Sequence, residues 1–183
     1  MKKLILLVAF VITANFSTAQ TKVGDVTLPN TVTLSGQEMD LNGAGMREKM
    51  WFDLYVGGLY VQTKSKNAET IINADAPMAM KLHIVSGMVS QEKMIGAVND
   101  GFENSTSGKV TENQQADFIK CFNDEIKKED VFDIVYANGT TTVYKNGKEK
   151  GQVAGLEFKK ALFGIWLGKK PADKDLKKGM LGS

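Results

Sequence analysis

Residues 42–61, NGAGMREKMWFDLYVGGLYV, decide the fold. From Met50 to Thr63 both alternating sets of side chains are apolar: Trp51, Tyr55, Leu59 and Val61 in one set, Phe52, Leu54, Val56 and Tyr60 in the other. Successive side chains of an extended chain point to opposite faces, so a strand apolar in both sets is covered on both faces and central to its sheet. Gly57-Gly58 inside it marks a bend, a bulge or a place where something packs tightly against the backbone. We expect Phe52, Leu54, Val56 and Tyr60 to lie under helices, with the opposite face also mostly covered.

Working outward, short apolar runs at Val26–Leu28, Val32–Leu34 and Glu38–Leu41 are separated by Pro29-Asn30 and Ser35-Gly36, the pattern of small strands joined by turns. After the central strand, residues 67–73 read as a short helix and Met78–Val85 as a strand. Ser90 is placed to cap a helix whose Met94, Ile95, Val98 and Phe102 recur at helical spacing. A second helix from Thr111 carries Phe118, Ile119, Phe122 and Ile126 on one stripe. Val131–Ala137 and Thr140–Lys145 flank Asn138-Gly139, a strong hairpin signal, and Asn146-Gly147 repeats it before a third strand. A helix over Leu156–Leu167 and a short amphipathic one after Pro171 close the chain. Strands, helices, strands, helices in that order imply an α+β protein.

Lys2 and Lys3 precede an apolar run from Leu4 to Ala14 and a polar stretch ending Ser17-Thr18-Ala19. That is the pattern of a signal peptide cleaved between Ala19 and Gln20, and the run is too short to be a transmembrane segment, which needs about 20 residues. Residues 20–183 are then expected to form one domain, delivered to the periplasm or outside the cell. The whole chain carries 23 basic and 21 acidic side chains, so overall charge argues for no nucleic-acid partner. One Cys and one His cannot supply a conventional zinc site, a disulfide framework or a haem attachment, and no metal or other cofactor is expected.

Catalytic motifs fare no better. Gly43-Ala44-Gly45 lacks the third glycine of a dinucleotide fingerprint, and no Gly-Lys pair is followed by Ser or Thr. His83 shares a strand face with Lys81 and reads as a solvated rim residue, Cys121 as a thiol protected by burial, and lysines 169, 170, 174, 177 and 178 as a solvated helical face. One residue stands apart: 22 of the 23 basic side chains are Lys, and the single Arg is Arg47, at the end of the segment Leu41–Arg47 that leads straight into the central strand. Its guanidinium fork suits a carboxylate, which an ammonium does not match. The competing reading is a surface Arg or one salt-bridged to Glu48 or Asp53.

The stretch over residues 42–61 resembles the signature of the chalcone isomerase superfamily, whose plant members carry a GGAGVR segment followed by a strand with a similar glycine and tyrosine pattern. SQEKM at 90–94 resembles the start of a helix in that family, and ALFGIWLGKKPADKDLKKGMLG at 161–182 resembles the C-terminal helices of its secreted bacterial members. The resemblance implies a large antiparallel sheet backed by a layer of helices, an open-faced sandwich with an apolar cleft between the layers. The plant isomerases close a flavanone ring with an Arg, a Thr, a Tyr, an Asn and a Ser or Thr. Here Arg47 matches the Arg, while Tyr55, Ser90, Ala97 and Ile165 stand at the other four positions. The family also contains non-catalytic fatty-acid-binding proteins that hold the lipid carboxylate with an Arg and a Tyr, a pair that Arg47 and Tyr55 resemble more closely.

These readings lead to a binding protein for a small apolar carboxylate such as a fatty acid, with Arg47 as anchor, Tyr55 as second contact, Trp51 and Leu59 along the wall, and no catalytic residues. The alternatives are an isomerase acting on a chalcone-like or other apolar substrate, and an envelope interaction module without a small ligand. Eight residues of straight strand would hold Arg47 and Tyr55 about 26 Å apart. They share a ligand if the chain turns back near Glu48-Lys49 or if Arg47 reaches along the cleft.

Overall fold

The computed structural model describes residues 20–183; the signal-peptide expectation for 1–19 lies outside the described residues. A two-stranded ribbon, β1 (Gln20–Val23) and β2 (Val26–Pro29), precedes a seven-stranded antiparallel sheet. The sheet runs in sequence order: β3 (Thr31–Leu34), β4 (Gln37–Lys49), β5 (Phe52–Val61), β6 (Met78–Ile84), β7 (Val131–Ala137), β8 (Thr140–Lys145) and β9 (Lys148–Ala154). The helices are α1 (Ala68–Asn73), α2 (Gln91–Asn104), α3 (Glu112–Lys120), α4 (Leu156–Leu167) and α5 (Lys174–Met180). The architecture is α+β, a large antiparallel sheet backed by helices, as the element order implies.

The segment read as a lead-in to the central strand is itself a strand. Asn42 to Lys49 belong to β4, and the chain reverses at Met50-Trp51 so that β5 returns beside it. Met50 and Trp51 have φ of 50° and 66°, the left-handed values a two-residue hairpin turn needs. The Asn138-Gly139 and Asn146-Gly147 turns adopt the same conformation with residues suited to it, and both hairpins form as read. Met and Trp there carry a strain of about 1–2 kcal/mol per residue, which is why the alternating pattern concealed the turn.

Burial of β5 on both faces holds, but the faces are exchanged. Tyr55, Leu59 and Val61 point into the main core under α2 and α4, with Phe102, Phe158 and Trp166 among their neighbours. Val56 and Tyr60 point to the other side, where Val26 and Leu28 of the β1–β2 ribbon cover them with Met39 and Leu41. Leu54, expected with Val56, packs instead at the edge of the main core. Where both alternating sets are apolar, periodicity shows two covers without showing which one is helical.

Glycines let these covers approach closely. A Cβ on Gly43 would overlap the Gly179 carbonyl oxygen, and one on Gly57 would overlap the end of Met180, both from α5. On the other face a Cβ on Gly58 would press on Leu28. Asn42 fastens the end of α5, its amide donating to the Met180 carbonyl at 2.8 Å.

Ser90 accepts from the Lys93 amide, and Thr111 forms a reciprocal capping box with Gln114, as helix-start chemistry requires. Cys121 is buried at the end of α3, and burial pushes its thiol up to about 11. His83 Nε2 lies 2.9 Å from Glu129 at the rim of the sheet. One buried cation has no counterpart in the sequence reading: Lys159, fully enclosed in α4. Its ammonium donates to the carbonyls of Ile71, Ile72 and Ala74 at 3.1, 2.8 and 2.8 Å, satisfying the C-terminal end of α1.

Candidate functional site

The β4–β5 reversal resolves the separation of Arg47 and Tyr55. They are paired directly across the two strands, which sets their Cα atoms about 5 Å apart. Beside them opens a cleft of about 870 Å³ between the end of this hairpin, α2 and the C-terminal part of α4, within the usual size of a small-molecule site. Leu54 and Tyr55 line it from the sheet, Met94, Ala97 and Val98 from α2, and Ile165 and Trp166 from α4. Gly101 belongs to the same wall, where a Cβ would collide with Ile165, so its absence lets α2 and α4 close together.

The polar end is built by two long-range contacts. The Trp166 indole N–H donates to the Tyr55 hydroxyl at 3.0 Å in a buried setting. The Tyr55 proton has no protein acceptor among the described residues, so the phenol keeps a donor to offer. Burial raises its pKa above the ordinary 10.0, against the opposing pull of Arg47 and the indole hydrogen bond. At neutral pH Tyr55 is therefore a protonated donor and not a phenolate base.

Arg47 donates through one terminal nitrogen to the Ala172 carbonyl and lies 3.5 Å from Asp173 Oδ2. Asp173 also caps α5, its Oδ1 accepting from the Asp175 and Leu176 amides. One carboxylate thus starts the last helix and fixes the guanidinium at the cleft. The salt-bridge reading of Arg47 is correct in kind, with Asp173 as partner in place of Glu48 or Asp53. No other nitrogen of Arg47 has a protein partner among the described residues, which leaves that edge of the fork open to an anion.

The proposed wall needs correction. Trp51 sits in the hairpin turn, 95% exposed, and Leu59 is sealed in the core; neither lines the cleft. Parity alone had grouped both with Tyr55, but the turn removes Trp51 from the strand and the helices cover Leu59. The sequence reading passed over Lys49 and Lys93 and put Lys170 on a solvated helical face; all three line the cleft alongside Asp100, and Lys170 lies before the start of α5. Among 22 lysines, nothing in composition marked these three. Of the four positions at which the resemblance replaces a plant polar residue, Tyr55, Ala97 and Ile165 line the cleft, and Ser90 serves as the α2 cap. Among the described residues no group of three or more His, Cys, Asp or Glu side chains converges to hold a metal ion.

A family model described as chalcone isomerase-like matches residues 20–182, and the chain belongs to that family. Among solved structures, a fatty-acid-binding protein of Arabidopsis thaliana superposes with a TM-score of 0.69 at 18% identity, covering 86% of this chain and 92% of that one. At that identity the likeness is one of fold. No curated protein sequence matches the chain.

Proposed function

We propose, from this family membership and the geometry of the cleft, that the protein binds a small apolar carboxylate such as a fatty acid and leaves it chemically unchanged. The observation that carries the reading is the convergence of the open edge of Arg47 and the free Tyr55 proton on one end of an otherwise largely apolar cleft. A desolvated carboxylate needs charged, hydrogen-bonding partners to offset the loss of water, and an acyl chain needs the apolar wall of α2 and α4 behind it. The fatty-acid-binding structure with the same fold supports this ligand class.

Binding is favoured over isomerisation because two positions that carry polar side chains in the plant isomerases, by the resemblance, are hydrocarbon here. Ala97 and Ile165 present hydrocarbon where a ring-closing site would orient substrate and water. The N-terminal pattern supports export, with cleavage between Ala19 and Gln20, so that the ligand is met in the periplasm or outside the cell.

The test is mass spectrometry of the native protein as purified, followed by titration of the delipidated protein with a fluorescent fatty acid. An acidic lipid that co-purifies and displaces the probe is the expected result. No lipid and no titratable binding would hand the case to an envelope module without a ligand, and measurable ring closure of a chalcone above the buffer rate would restore the isomerase reading.

A further inference from the structure

The four exposed large apolar side chains among the described residues are Met50, Trp51, Phe52 and Met88; Met50, Phe52 and Met88 line the cleft, and Trp51 sits between the first two in the hairpin turn. Met50, Trp51 and Phe52 form the tip of the β4–β5 hairpin, at 73%, 95% and 52% exposure, and Met88 projects from the β6–α2 loop at 42%. Exposed apolar groups scattered singly need no explanation, but a contiguous group does.

The backbone at the tip sharpens the point. Among the described residues three other turns place two successive residues at positive φ, and each uses glycine second: Ser35-Gly36, Asn138-Gly139 and Asn146-Gly147. Among the described residues, only the Met50-Trp51 turn puts large apolar side chains in that conformation. Strain of this kind persists where the side chain has a use that the relaxed turn would forfeit.

Charge gives the identity of the partner. Lys49 and Lys93 flank the tip and the loop, Lys170 stands on the facing side of the mouth, and all three are exposed. Lys93 also donates to the Met88 carbonyl at 3.0 Å, tying the loop to α2. Glu48 and Asp53, both exposed, stand opposite each other one residue further from the tip than Lys49, and Asp100 is the acid that lines the mouth. An apolar tip bearing a Trp, with Lys49 next to it and Lys93 and Lys170 at the mouth, matches the interface of a bilayer with anionic headgroups. The indole sits at headgroup depth, the hydrocarbon side chains sit below it, and the ammonium groups stay with the phosphates.

We propose that the β4–β5 hairpin tip docks the protein on an anionic lipid surface, with the cleft mouth facing the bilayer. An acyl chain could then pass between membrane and cleft without crossing water. The docking stands on the tip and its lysines, and it goes beyond the ligand reading without depending on it.

The experiment is flotation of the full exported protein with vesicles of phosphatidylcholine alone or containing about 30% phosphatidylglycerol. The wild type should float with the anionic vesicles only, lose most binding in about 0.5 M salt, and show a blue shift of tryptophan emission. The variant Met50→Asn/Trp51→Gly restores the turn residues that this chain uses elsewhere, so it should fold at least as stably while its partitioning falls about tenfold or more. Its remaining tryptophan, Trp166, supplies the emission baseline. Arg47→Ala, which removes the proposed ligand anchor, should float like the wild type, so failure of docking and failure of ligand binding are read separately. Absence of flotation, equal flotation of the turn variant, or equal binding to neutral vesicles would overturn the proposal. So would a wild type that fails to float and halves its sedimenting mass in the turn variant, which would make the tip a contact between two copies of this chain.

Discussion

Replacing Asp173 by Asn and Arg47 by Ala should move ligand affinity in opposite directions. Asp173 does two separable things: one oxygen caps α5 and the other pairs with Arg47 at 3.5 Å, each side chain being 16% exposed. Asn caps a helix nearly as well as Asp, so Asp173→Asn should keep α5 and cost no more than about 1 kcal/mol of stability. A ligand carboxylate on the open edge of the guanidinium would lie roughly 6 Å from the Asp173 charge. Repulsion at that distance is about 0.7 kcal/mol if water screens it fully and about 2.8 kcal/mol at an effective dielectric near 20. Removing the charge should therefore tighten binding by roughly tenfold, between those limits. Arg47→Ala should weaken binding by about 2–5 kcal/mol, because the acid would be left desolvated without its partner. The assay is fluorescent fatty-acid titration of both variants, with thermal melts alongside. If both variants bind like the wild type and only their melting temperatures change, Arg47 is a structural clasp for α5 and the ligand site lies elsewhere.

Two further expectations test the frame around the site. Gly43→Ala should cost about 1–3 kcal/mol in denaturant unfolding, because the new methyl meets the Gly179 backbone and forces α5 off the sheet; an unchanged midpoint would mean that α5 is not seated there. Lys159→Met should cost about 2–4 kcal/mol by leaving the carbonyls of Ile71, Ile72 and Ala74 without their donor. Burial lowers the Lys159 ammonium from 10.5 to about 8, so the unfolded state holds more protons between those values and stability rises with pH there. This contribution is complete above about 10.5 and is lost as pH falls through about 8. The stability gap between wild type and Lys159→Met should therefore widen from pH 8 towards pH 10, and a constant gap would refute the assignment.

The amino-acid pattern by itself determined the central strand with two covered faces, the helices capped by Ser90 and Thr111, the Asn-Gly hairpins and the singular place of Arg47. Those are local properties: side-chain period, capping chemistry and turn preference act over a few residues and leave their mark in the sequence. What the tertiary structure decided is everything that depends on which distant segments meet. The reversal at Met50-Trp51 brings Arg47 opposite Tyr55, yet it uses residues that disfavour such a turn, so local preference pointed to continuous strand. The exchange of the two faces of β5 was hidden because both covers are apolar, and burial strength does not depend on what does the burying. Asp173, Trp166 and Lys170 reach the site from segments more than a hundred residues away, Lys93 reaches it from α2, and no spacing rule connects them to Arg47. Lys159 was illegible for the same reason: a buried ammonium becomes tolerable only when the folded chain presents three carbonyl oxygens to it, and that juxtaposition exists nowhere but in three dimensions.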